Sequence, residues 1–193
     1  MPEPIRVTQV LNYFKEQWFV DWFHDTGRRE ANRVSKEALK IGTRVDELIK
    51  ANSTPTTKDK AEVHSCIAAY NKWKAVYQPK SVTPCNRLFG TVDNHQITGE
   101  PDIMVDDVLV DIKCSNKIAL SYWLQVNMYV MLRGITTKVG ILRLDKETAS
   151  YEYVVQDYDP EKVLVWCGLM RAMVYLKGGS EDGGLDIQED GEN

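Results

Sequence analysis

Gly99-Glu100-Pro101-Asp102-Ile103, followed after an Asp106-Asp107 turn by Val108-Leu109-Val110-Asp111-Ile112-Lys113, is the stretch on which the reading of this chain turns. Side chains alternate along a strand, so Asp111 and Lys113 share one face while Val108, Val110 and Ile112 share the other. The apolar face is ready to pack against a core. A carboxylate and an ammonium aligned on the opposite face need a separate explanation. One is a salt bridge at a sheet edge, which a lone Asp-x-Lys makes as easily as anything else. The other is phosphodiester chemistry: two carboxylates can hold Mg²⁺ or Mn²⁺ through hard oxygen ligands, while a nearby lysine positions water and stabilises developing negative charge.

Working outward, Arg87–Val92, Gln96–Val105 and Val108–Cys114 are short β-rich runs separated by Asp93-Asn94-His95 and Asp106-Asp107, which predicts a three-stranded meander. Asn116–Arg133 returns to helical spacing and stops at Gly134. Lys138–Leu144 is then a strand parallel to Val108–Cys114 through a right-handed crossover, and Tyr151–Val155 extends the sheet. Asp159-Pro160 starts a final helix and Gly178-Gly179 stops it. That helix, Glu161–Lys177, is apolar nearly all round, as a core helix or a subunit contact would be.

Upstream, apolar residues at Val34, Ala38, Ile41, Val45, Leu48 and Ile49 outline an amphipathic helix over Arg29–Lys50. Asn52–Thr57 breaks it, and Val63, Cys66, Ile67, Tyr70, Trp73 and Tyr77 outline a second. Val10–Phe23 reads as an aromatic-rich helix whose Trp18, Phe19, Trp22 and Phe23 serve packing or base stacking. The fold class is α/β, a mixed central sheet (meander, crossover helix, further strands) flanked by helices.

With 193 residues and 43% hydrophobic content, one core is the expectation, over residues 1–179. Residues 180–193 form an acidic, disordered tail. The net charge of −4 is unevenly spread, +4 over residues 1–80 and −8 beyond, and six acids fall in the last thirteen residues, so a local basic path is compatible with it. No apolar run is long enough to span a bilayer, and the expected location is soluble and intracellular. Cys66, Cys85, Cys114 and Cys167 form no CxxC pair, against a zinc knuckle or disulfide framework.

Two further segments join the central one. Gln125-Val126-Asn127-Met128-Tyr129 places Gln125 and Tyr129 on one helical face, and Gly42-Thr43-Arg44-Val45-Asp46 lies on the earlier helix. Together, in this order, over about residues 35–145, they resemble the RecB-like branch of the PD-(D/E)XK nucleases. Asp102 and Asp111-Ile112-Lys113 match its acidic strands, Gln125 and Tyr129 its QxxxY motif, and Gly42-Thr43 its Gly-Thr-x-x-His segment, with Asp46 where that family has histidine. On the helix, Asp46 borders the apolar stripe whereas Glu47 faces solvent, which favours Asp46 as the first-helix ligand.

The resemblance implies a restriction-endonuclease-like core. It also implies a catalytic set of Asp102, Asp111, Lys113, Gln125 and Tyr129, and a Mg²⁺ or Mn²⁺ held by Asp46, Asp102, Asp111 and the Ile112 carbonyl. Some family members hold an iron-sulfur cluster on one upstream cysteine and three near the C-terminus; only Cys167 stands there, so no cluster is expected. The implied partner is DNA, with phosphate contacts from Arg28, Arg29, Arg33, Lys36 and Lys40 or from Ser115, Asn116 and Lys117, besides Gln125 and Tyr129. The expected activity is that of an exonuclease on ends or single strands, as in free-standing phage and repair enzymes working beside replication or recombination proteins. A nicking or structure-specific endonuclease and an inactive binding module are the alternatives. A homo-oligomer is compatible with the apolar last helix.

Overall fold

The computed structural model describes residues 3–14, 17–134 and 137–182, without the side chains of 17–19, 21 and 179–182. The elements run β1 (Ile5–Arg6), α1 (Val7–Tyr13), α2 (Gln17–Thr26), α3 (Arg28–Lys50), α4 (Ala61–Tyr77), β2 (Val82–Pro84), β3 (Leu88–Val92) and β4 (His95–Gly99). After these come β5 (Ile103–Val105), β6 (Val108–Lys113), α5 (Leu120–Arg133), β7 (Lys138–Leu144), β8 (Tyr151–Asp157) and α6 (Pro160–Asp182).

A five-stranded mixed sheet, in the order β2-β5-β6-β7-β8, carries the fold. Within it β6 and β7 are parallel, with Val108 opposite Lys138 and Lys113 opposite Arg143, and α5 makes the crossover between them. The α5 crossover ends where Gly134 adopts a left-handed conformation and its N–H reaches the Val130 carbonyl. Alternation then sorts the side chains into two cores. Leu109, Val139 and Ile141 face the layer made by α1, α5 and α6, while Val108, Val110, Leu142 and Leu144 face α3 and α4. The apolar face expected of Val108, Val110 and Ile112 is the one against α3 and α4.

The structure divides the predicted meander. Gln96–Val105 is two strands in different sheets: β4 pairs with β3 and, in parallel, with β1, whereas β5 pairs with β2 and β6. Pro101 has no N–H to offer a ladder, so the chain leaves one sheet at Gly99 and enters the other at Ile103. The β3–β4 hairpin turns at Asp93-Asn94, both with positive φ (46° and 64°), as a two-residue turn requires.

Two helix boundaries also differ. The first aromatic helix is broken into α1 and α2, with Phe14 extended between them; the packing expected of Trp18 and Phe19 lies outside the described residues. At the other end α6 runs through Gly178 and Gly179 to Asp182, because two glycines weaken a helix without removing its hydrogen bonds. Residues 183–193 of the expected tail lie outside the described residues. Among those described, no helix is long and apolar enough to cross a membrane.

Candidate active site

Four elements converge on one cavity of about 580 Å³. Gly42, Thr43 and Asp46 line it from α3, Asp102 from the β4–β5 crossing, Asp111, Ile112 and Lys113 from β6, and Gln125 and Tyr129 from α5. The separate motifs of the sequence thus share one space.

Asp111 is the buried centre, 1% exposed. Its Oδ1 accepts a hydrogen bond from Gln125 Nε2 at 3.0 Å, and the same amide nitrogen donates to the Tyr129 hydroxyl at 2.8 Å. One turn of α5 therefore fixes the carboxylate. Lys113 Nζ lies 2.6 Å from Asp111 Oδ2, an ion pair that occupies this buried oxygen. Asp102 Oδ2 accepts from the Ile112 amide at 2.6 Å, tying the second acid to the same strand.

Asp46 faces the cavity from α3. Its Oδ2 pairs with Lys50 Nζ at 2.9 Å while Oδ1 is buried without a hydrogen-bond partner among the described residues. Glu47, one residue on, is exposed and pairs with Arg44 at 3.2 Å, so the helical-face argument that preferred Asp46 agrees with where the two side chains stand.

The electrostatics follow from crowding acids in a low dielectric. Burial, then the Asp111 charge, push the Asp102 carboxyl up to about 8, against the pull of Lys113 and the Ile112 amide. Burial also raises Asp111. Lys113 goes the same way for the opposite reason: burial opposes its charge, but Asp111 and Asp102 outweigh that and hold it protonated well above the ordinary lysine range. Burial and the Asp111 charge push the Tyr129 hydroxyl up, so it stays a neutral hydrogen-bonding group.

Among the described residues no three of His, Cys, Asp and Glu stand close enough to form a ready-made metal cage; Lys50 and Lys113 face two of the acids instead. The donor set nevertheless fits a hard divalent cation. Asp46 Oδ1 is a buried oxygen without a hydrogen-bond partner among the described residues, and Asp111 Oδ2, paired with Lys113, stands on the wall of the same cavity; an unsatisfied buried oxygen costs stability unless something else satisfies it.

The expected phosphate contacts divide. Ser115 lines the cavity, but Arg28, Arg29, Arg33, Lys36, Lys40, Asn116 and Lys117 do not, and Arg33 pairs with Glu30. Besides Lys113, two cations on the walls are ones the sequence reading missed: Arg6, at the end of β1, and Arg87, which pairs with Glu100 at 2.9 Å. Neither sits in a basic cluster, so only the pairing of β1 with β4 and of β3 with β4 reveals them.

No protein-family model matches the chain, and no curated protein does. Its likeness is to solved structures. A candidate exonuclease from Eubacterium rectale superposes at a TM-score of 0.54 with 18% identity, covering 74% of this chain and 68% of that one. The protein SSO0001 does so at 0.50 with 12% identity, over 91% of this chain and 77% of its own. The fold is shared. At such identities the likeness extends to the fold alone; an alkaline exonuclease from Laribacter hongkongensis, at a TM-score of 0.46 and 14% identity over 93% and 94% of the two chains, adds no argument.

Proposed function

We propose that this chain is a DNA nuclease dependent on Mg²⁺ or Mn²⁺, acting as an exonuclease on ends or single strands. The observation that carries the reading is the meeting of three carboxylates and a lysine from separate elements, Asp46, Asp102, Asp111 and Lys113, on the walls of one open cavity. A salt bridge at a sheet edge, the alternative for Asp111 and Lys113, would not bury the acid or set two more acids on the walls of the same cavity. The name of the Eubacterium rectale neighbour supports the exonuclease class.

In this reading Asp46, Asp102, Asp111 and the Ile112 carbonyl hold the cation, which when bound supplies Lewis-acid polarisation of the phosphoryl group and an acidified water. Lys113, kept charged by its acids, orients and neutralises the non-bridging phosphate oxygens. Gln125 fixes Asp111 and is itself set by Tyr129. Arg6 and Arg87, at the walls, contact the DNA backbone.

The test is degradation of end-labelled linear single- and double-stranded DNA beside circular single-stranded DNA, with Mg²⁺, Mn²⁺ or EDTA, and Asp111→Ala as control. Metal-dependent loss of linear DNA alone is the expected result. Cutting of the circle would make the chain an endonuclease, and no cleavage under any condition would overturn the catalytic reading.

A further inference from the structure

The last helix keeps one face in the core and leaves the other bare. Val163, Trp166, Cys167, Met170 and Met173 of α6 are buried against α1 and α5. The opposite face carries Leu164, Val165, Gly168, Ala172, Tyr175 and Leu176, all exposed. A helix in contact with water on that side should carry charge there. Instead, from Leu164 to Leu176 the stripe is apolar for about three turns; Arg171 at its edge is paired with Asp93 at 2.6 Å, and the charge on the same face, Glu161, stands one turn before Leu164.

The order of sizes along the stripe is self-complementary. Two large residues, Leu164 and Val165, precede Gly168; Ala172 precedes two more, Tyr175 and Leu176. Read about the midpoint at position 170, the order is the same in both directions. A second α6 laid antiparallel would set Leu164 against Leu176, Val165 against Tyr175 and Gly168 against Ala172. A Cβ at Gly168 would meet nothing within 4 Å, so the space beside it is open to a second backbone. Small residues at the centre let the axes approach, and the large ones close the ends.

The area is sufficient. Leu164, Val165, Tyr175 and Leu176 are 68%, 51%, 79% and 50% exposed. With roughly 200 Å² for each such side chain fully exposed, they present about 500 Å² per copy. A pair would then bury about 1,000 Å² from these four alone, and the residues between and beside them bring the total near the ~1,200 Å² at which specific interfaces begin. Among the described residues none of α6 lines the candidate active site, so both cavities would stay open.

We infer that this face is the interface of a two-fold homodimer built on antiparallel α6 helices, each copy offering the same patch to the other. The inference is independent of the nuclease reading.

Sedimentation velocity of the full chain tests it. The expected mass at micromolar concentration is twice the 22.1 kDa of one chain. Leu164→Glu and Leu176→Lys, both at exposed positions, should each return the mass to one chain with an unchanged circular dichroism spectrum. The double variant should regain the dimer, because the antiparallel register sets each substituted position opposite the other across the interface. A monomeric wild type would overturn the inference, as would an oligomer indifferent to both single variants or a double variant that stays monomeric. A dimer that forms only after residues 183–193 are removed would make that segment the natural cover of the face, and would overturn it too.

Discussion

Gly99→Ala tests whether the packing around the site is what holds the site. A Cβ at Gly99 would stand 2.4 Å from Tyr129 Cε1, 2.7 Å from Cδ1 and 3.3 Å from Val7 Cγ2. The Tyr129 ring is 2% exposed, and its hydroxyl accepts the Gln125 amide that also holds Asp111, so the ring cannot swing aside without disturbing the acid. Forcing an extra methyl into such packing costs about 1–3 kcal/mol. For a chain of 193 residues each kcal/mol moves the unfolding midpoint by about 2–4 °C, so a fall of roughly 2–12 °C is expected by calorimetry. Cleavage, measured where both proteins are folded, should fall by at least about tenfold, since positioning errors near an ångström weigh heavily on rate. Tyr129→Leu makes room for the methyl, so Gly99→Ala combined with it should be more stable than the two single changes added together, without recovering activity. A Gly99→Ala protein that melts and cleaves like wild type would refute the reasoning.

Asp102 should give the cation-free protein a distinctive pH profile. Its folded pKa, about 8, lies above the unfolded value near 4, so its contribution to stability is full below pH 4 and is lost as pH rises towards 8; Asp102→Asn should flatten the melting temperature across that window, and an unchanged profile would contradict the burial argument. Asp46→Asn should weaken Mn²⁺ binding by calorimetry at least about tenfold, while Glu47→Gln, at an exposed side chain paired with Arg44, should leave it unchanged. Arg6→Ala and Arg87→Ala should each lower DNA affinity and reduce the salt slope of binding by about one unit, whereas Arg28→Ala, outside the cavity, should not. Lys113→Met should abolish cleavage and destabilise the protein more at pH 8 than at pH 5, because Asp111 is already raised by burial and loses the charge that opposes it; equal loss at both pH values would count against the pairing.

What was legible in the sequence was whatever local periodicity encodes. The spacing of Val34 to Ile49 and of Val63 to Tyr77 marks α3 and α4, and the crossover from β6 to β7 follows from the α5 pattern ending at Gly134. Asp46 could be preferred to Glu47 because a helix fixes the angle between successive side chains. What stayed hidden depends on long-range pairing. Two-residue β1 is too short to show any alternation; it exists because Ile5 and Arg6 find Ile97 and Thr98. That pairing alone brings Arg6 to the cavity. The basic run from Arg28 to Lys40 drew attention by composition, yet charge on a long helix is as well explained by solvent and by pairs such as Arg33–Glu30.

The separation of the two central acids can be derived, and it accounts for their chemistry. Asp106-Asp107 is a two-residue turn, so it fixes the register on both sides: Val105 faces Val108, Met104 faces Leu109, and Ile103 faces Val110. One step further, the same register places Asp102 opposite Asp111, and one more places Pro101 opposite Ile112. Burial raises both carboxyls, and the Asp111 charge across the ladder adds to the rise of Asp102. Pro101 ends the strand pairing, and Asp102 Oδ2 takes the Ile112 N–H at 2.6 Å in its place. The proline therefore stops the ladder where an aspartate side chain can complete it. Two acids that repel in isolation are held face to face by backbone, beside a lysine that the same strand delivers two residues on. Lengthening the turn by one residue would slip this register and separate the acids while leaving every one of these side chains in the sequence.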